Sequence, residues 1–153
     1  MADEYGVLAF PDPPLLRPIG HGTWQLASTY VVPAFGFSMR IPEGFVTDLA
    51  SVPHWTRSLV GTEDLGAVGA IAHDLLYQQG GYASGLVEPL RRVRVDRLFR
   101  VLMQMENVIG WRRWVAWAAV RIAGWACWKS APRRVARLQE RRQRAEAPAL
   151  SAD

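Results

Sequence analysis

Phe35-Gly36-Phe37-Ser38-Met39-Arg40-Ile41 is the stretch whose reading decides the fold class. Phe35, Phe37, Met39 and Ile41 alternate with Gly36, Ser38 and Arg40, the period of a strand with one face in a core and the other in water. Upstream, Trp24, Leu26, Tyr30 and Val32 share one parity and predict a first strand, with a hairpin-like turn at Pro33-Ala34 between the two. Downstream, Pro42-Glu43-Gly44 predicts a second turn leading into a third short strand at Phe45-Val46. Before all of these, Pro11, Pro13, Pro14 and Pro18 make residues 1–20 an extended arm, since proline prevents helix and disfavours central strand positions.

From residue 51 the period turns helical. Ser51 as N-cap and Pro53 in the first turn predict a short helix ending by Gly61. Thr62 caps a second helix, with Glu63 and Asp64 at its positive end, Leu65, Val68, Ala72 and Leu75 on its apolar face, and Gly80-Gly81 as its stop. Residues 80–91 read as a loop. A third helix is expected over about 92–107, where Val95, Leu98, Leu102 and Met105 follow the three-four pattern. The fourth, about 111–129, carries Trp111, Trp114, Trp117, Trp125 and Trp128 within one stripe, with Arg121 in its middle. Ala116, Ala119, Ala123 and Ala126 lie opposite. The expectation is an α+β fold: a small N-terminal antiparallel sheet packed against four or five helices in a single domain. A proline-rich arm (1–20), a globular domain (21–130) and an Arg-rich helical or disordered tail (131–153) divide the chain.

A chain of 153 residues, half of them hydrophobic and 21% charged, has room for a real core and composition against general disorder. The net charge of +4 is almost wholly arginine, with Lys129 the only lysine and six arginines between Arg133 and Arg144. The basic balance therefore describes the tail more than the domain. The single cysteine, Cys127, excludes an intrachain disulfide and any zinc site built on several thiolates, and its apolar setting predicts a buried thiol. Asp3, Glu4 and the prolines after them lack the basic and apolar regions of a secretory signal, so the host cytoplasm is the expected compartment.

Four polar groups stand in apolar sequence: Asp48 in Phe-Val-Thr-Asp-Leu-Ala-Ser-Val-Pro (45–53), His73 and Asp74 in Ala-Ile-Ala-His-Asp-Leu-Leu-Tyr (70–77), and Asp96 in Val-Arg-Val-Asp-Arg-Leu-Phe (93–99). A carboxylate buried among Val, Leu and Ala is costly unless paired, hydrogen-bonded or bound to a cation. One reading converges them on a divalent metal, Mg²⁺, Mn²⁺ or Zn²⁺, as three carboxylates and an imidazole. A metal-lowered water pKa and a spare carboxylate as base would then give a hydrolase, with Thr47, Ser51, Tyr77 and Arg121 around it binding substrate or orienting ligands. Helical spacing places Asp74 and Tyr77 on one face, with His73 about 100° around. The other reading is a structural brace: Asp48 as a turn residue, His73 satisfied in the core, and Asp74 or Asp96 paired with an arginine such as Arg97 or Arg121. His21 and His54 read as surface or packing residues beside Trp24 and Trp55. Ser51 completes a formal triad with His73 and an aspartate, but N-capping explains it better.

The combined motifs Pro-x-Gly-Phe-x-Thr-Asp-x-Ala-Ser-Val-Pro (Pro42 to Pro53), Ala-x-x-His-Asp-x-Leu-Tyr (Ala70 to Tyr77), Asp96-x-x-Phe99 and Arg121-x-x-Gly124 resemble a phage and bacterial family catalogued as domain of unknown function 1353. The resemblance runs over about residues 24–128. It implies an origin in tailed-phage or prophage genomes and carries no activity over. His54 departs from the arginine that commonly follows Val-Pro in the family, and the loop 80–91 is an insertion before Asp96.

Three functions follow as expectations. The first is the metal-dependent hydrolase on Asp48, His73, Asp74 and Asp96. The second is a phage structural or assembly protein, tail- or virion-associated, whose proline-rich arm and Arg-rich tail dock other phage proteins while the polar cluster braces the fold. The third is nucleic-acid or membrane association of the C-terminal region, with weaker support. Arg121 and the alanines make the Trp-rich helix a poor membrane span and favour a buried core helix, and the tail has no interleaved aromatics for base stacking.

Overall fold

The computed structural model describes residues 12–20, 22–34, 37–47, 66–84, 86 and 88–146; at 33, 34, 37 and 131–146 only the backbone is described. Five strands precede three helices among these residues: β1 (Leu16–Gly20), β2 (Thr23–Leu26), β3 (Tyr30–Ala34), β4 (Phe37–Ile41), β5 (Val46–Thr47), α1 (Ala67–Gln78), α2 (Arg92–Met105) and α3 (Gly110–Glu146). The fold is α+β in one domain, with antiparallel strands packed against helices. The short helix expected after Ser51, with Ser51, His54 and Thr62 to Asp64, lies outside the described residues, as do His21 and Asp48.

The alternation that opened the reading holds in β4, where Met39 and Ile41 are buried and Ser38 and Arg40 exposed. β4 pairs antiparallel with β3 in the register Tyr30↔Ile41 and Val32↔Met39. That register sets four inward side chains side by side. A separate sheet has the order β1-β2-β5. Each fully buried aliphatic side chain stabilises by about 1.5–3 kcal/mol. Leu26, Val32, Met39 and Ile41 therefore anchor strands too short to persist on their hydrogen bonds alone.

Three strand details differ from expectation. The first strand, expected across residues 24–32, is divided into β2 and β3, which belong to different sheets. The interruption at 27–29 preserves parity, so the alternation runs on unbroken while the backbone turns. Pro33 and Ala34 are not the turn but the end of β3, paired with Ser38 and Phe37. Proline is tolerated there because both strands of a two-stranded sheet are edges. The end of the proline-rich arm is also a strand: β1 holds Pro18 on the edge of its sheet, opposite Trp24.

α1 is apolar nearly all round, and is buried from Val68 to Tyr77 except at Asp74. It ends as Gly80-Gly81 predicts: both glycines have positive φ, and the Gly81 N–H returns to the Leu76 carbonyl at 2.7 Å. Its start has no local side-chain cap. Glu106, just past the end of α2, supplies one, its carboxylate accepting from the N–H groups of Val68 at 2.9 Å and Gly69 at 2.8 Å.

α2 lies between two cores. Val95, Leu98 and Leu102 pack with α1 and the strands, whereas Phe99 and Met103 pack with Val108, Ala116, Ala119 and Val120. α3 therefore turns its small residues inward. Trp111, Trp114 and Trp125 are exposed and Trp117 and Trp128 partly covered, so the helix expected to be a buried core helix is buried on its alanine side alone. Alanine allows closer helix approach than tryptophan, so the alanine line won the contact with α2. Ala123 and Ala126 lie beyond that contact and are exposed, and so is Cys127, whose thiol was expected to be buried. The helix continues through Pro132, which has no N–H to give to the Trp128 carbonyl.

Candidate functional site

His73 and Tyr77 are one turn apart on α1, and Arg92 and Asp96 one turn apart on α2, so each pair shares a helix face. These faces meet α3 at Arg121. Asp96 is fully buried and stands at the centre. Its Oδ1 accepts from the Tyr77 hydroxyl at 2.5 Å and from His73 Nε2 at 3.1 Å. Its Oδ2 accepts from Arg121 Nη1 at 2.9 Å, with Arg92 Nε at 3.8 Å. Three helices are thus tied through one carboxylate.

Burial by itself raises the Asp96 pKa. The hydrogen bonds from His73, Tyr77 and Arg121 outweigh it and hold the carboxyl below the usual carboxylate range. Burial, and then the hydrogen bond to Asp96 and its negative charge, push the Tyr77 hydroxyl far above the ordinary tyrosine range, more than Arg92 and Arg121 lower it. Tyr77 is therefore a fixed donor and not a proton acceptor. An ionised Asp96 only accepts, which assigns a proton to His73 Nε2. The buried Nδ1 of His73 has no hydrogen-bond partner among the described residues.

Packing holds these groups in place. The His73 ring lies between Tyr77, at 4.1 Å between centroids, and Phe99, at 4.8 Å. Trp128 meets Tyr77 edge-on at 5.1 Å. The second arginine is also engaged with α3, since Arg92 Nη2 donates to the Arg121 carbonyl at 2.7 Å. One turn on from Arg121, Gly124 leaves the space that the Tyr77 hydroxyl fills: a Cβ there would lie 2.7 Å from that oxygen.

The polar groups singled out in the sequence divide into two sets. His73, Tyr77, Asp96 and Arg121 come together. Asp74 lies on a different side of α1 and accepts from the Thr47 hydroxyl of β5 at 2.5 Å, tying that helix to the sheet. It is thus Asp96, not Asp74, that bonds Arg121, and His73, not Asp74, that shares the Tyr77 face. Asp48 and Ser51 lie outside the described residues. Among the described residues no group of three or more His, Cys, Asp or Glu side chains is placed to hold a metal ion.

Sequence reasoning missed three participants. Arg92 was legible in principle, being four residues before Asp96 on an amphipathic helix. Gly124 had a signal in the Arg-x-x-Gly spacing, whose two ends serve Asp96 and Tyr77 respectively. Glu106 had none, because its cap joins residues about forty apart in the chain.

A family model described as "Protein of unknown function (DUF1353)" matches residues 24–120, more than half of the chain. The matched span covers His73, Tyr77 and Asp96 and ends just before Arg121. No curated protein and no solved structure matches.

Proposed function

The chain belongs to the DUF1353 family, and on that premise we propose a phage- or prophage-encoded structural or assembly protein in which the Asp96 cluster braces three helices. The observation that carries this reading is the engagement of both Asp96 oxygens by protein donors. A fully buried carboxylate with donors from His73, Tyr77 and Arg121 on its two oxygens has little left to offer a metal or a substrate. The resemblance to a phage and bacterial family supports the origin. The proline-rich and Arg-rich ends suit docking to other phage proteins.

A metal-dependent hydrolase on Asp48, His73, Asp74 and Asp96 has less support. Among the described residues Asp96 is engaged by protein donors and Asp74 by Thr47, which leaves Nδ1 of His73 as the atom of these three side chains without a hydrogen-bond partner.

The test is quantitative mass spectrometry of purified virions from a phage that encodes the protein, beside a deletion of its gene. Recovery at a fixed copy number per particle, or a deletion that halts particle assembly, is the expected result. Normal particle yield from the deletion, with the protein absent from wild-type virions, would contradict the proposal.

A further inference from the structure

We propose that the outward face of α3 docks on an anionic lipid surface, with the helix lying in the plane of the interface. Trp111, Trp114, Ile122 and Trp125 are exposed by 53, 53, 76 and 57%. At about 100° per residue they fall in a stripe roughly 80° wide over about four turns. The helix uses its other face, Ala116, Ala119 and Val120, for the core, so the stripe is not the internal seam of the fold. Large apolar side chains gathered on one exposed face mark an interaction surface.

Cations border the rings. Arg100 stacks over Trp114 at 4.3 Å, Lys129 over Trp125 at 4.0 Å, and Arg112 lies 5.5 Å from the Trp111 ring. Along its length α3 carries nine arginines and Lys129 against Glu140 and Glu146. This charge decides the occupant. A second copy of the same helix face would bring like charges together. A nucleic acid would take the cations and the ring faces, but two rings already hold a cation at stacking distance, and aliphatic Ile122, the most exposed of the four, has no place in base stacking. A membrane interface uses every part: tryptophan at the headgroup level, isoleucine in the acyl boundary, and arginine and lysine on lipid phosphates. No helix among the described residues is long and apolar enough to cross a membrane. An in-plane helix needs no such span.

The test uses the full chain with vesicles of phosphatidylcholine alone, vesicles of phosphatidylcholine and phosphatidylglycerol in equal parts, and a single-stranded DNA oligonucleotide. Co-sedimentation with the mixed vesicles should exceed that with the neutral ones by about tenfold or more. Tryptophan emission should shift to the blue and be quenched by brominated acyl chains. Ile122→Glu combined with Trp125→Glu should cut partitioning by about tenfold or more, with the far-ultraviolet circular dichroism unchanged. No binding to the mixed vesicles, binding to the oligonucleotide alone, or vesicle binding that survives the double substitution overturns the proposal. Should the doubly substituted chain lose its fold, the unaltered protein decides: quenching by brominated lipid upholds the docking face, and its absence overturns it.

Discussion

Gly124 and Tyr77 occupy a single contact between α3 and α1: a Cβ on residue 124 would lie 2.7 Å from the Tyr77 hydroxyl oxygen and 2.9 Å from a ring carbon. An alanine in a helix ordinarily gains about 0.5–1 kcal/mol over glycine. Here the gain is outweighed, because Tyr77 is packed between His73 and Trp128 and bonded to Asp96, with nowhere to withdraw. Overpacking of this kind costs about 1–3 kcal/mol. Gly124→Ala should therefore destabilise, measured by urea unfolding. Tyr77→Phe should relieve it only in part, since the ring atoms remain. A Gly124→Ala chain as stable as the original would refute the contact.

Asp96 and Arg121 should differ in consequence although they share a hydrogen bond. Asp96→Ala leaves His73, Tyr77 and Arg121 without their common acceptor in a buried site, a loss of about 3–5 kcal/mol. Arg121→Met removes one donor of three from a side chain that is 32% exposed, a loss nearer 1–2 kcal/mol. Chemical denaturation of both variants gives the order. Equal losses would mean that the Arg121 bond alone holds the cluster.

Asp96, which is buried, and Glu106, which is half-buried, give stability a pH dependence of opposite sign. Burial raises the Glu106 pKa more than the Gly69 and Val68 N–H groups lower it. The folded chain then holds that proton more tightly than the unfolded one, so stability rises as pH falls from Glu106's folded value to the ordinary glutamate range. The Asp96 pKa is depressed, so its contribution is present above the ordinary aspartate range and is lost as pH falls through the folded value. Stability should pass through a maximum in mild acid and then collapse. Glu106→Gln should flatten the rise and leave the collapse. Thermal melts across this range check it, and an unchanged rise in the Glu106→Gln protein would count against the assignment.

Much of this was legible from period and punctuation. Met39 and Ile41 face inward as their alternation requires, and Gly80-Gly81 ends α1 where the helical pattern stops. The division of β2 from β3 was not legible, because the interruption at 27–29 leaves the parity of Leu26 and Val32 intact. Which face of α3 enters the core was not legible, because both of its sides are apolar. Periodicity finds stripes, but which one enters the core depends on how closely a neighbour can approach. The cluster itself was half legible. The sequence marked His73, Asp96 and Arg121 as costly groups needing partners, while the choice of Asp96 over Asp74 depends on how three helices rotate against each other.

The brace is tested most directly by melting temperature with and without EDTA, and with added Mg²⁺, Mn²⁺ or Zn²⁺, for the original chain and for Asp96→Asn. A brace predicts a melting temperature indifferent to chelator and metal in the original chain, and a large drop in Asp96→Asn that no ion restores. A melting temperature raised by one of these ions in the original chain, with that rise abolished in Asp96→Asn, would contradict the brace and make Asp96 a metal ligand.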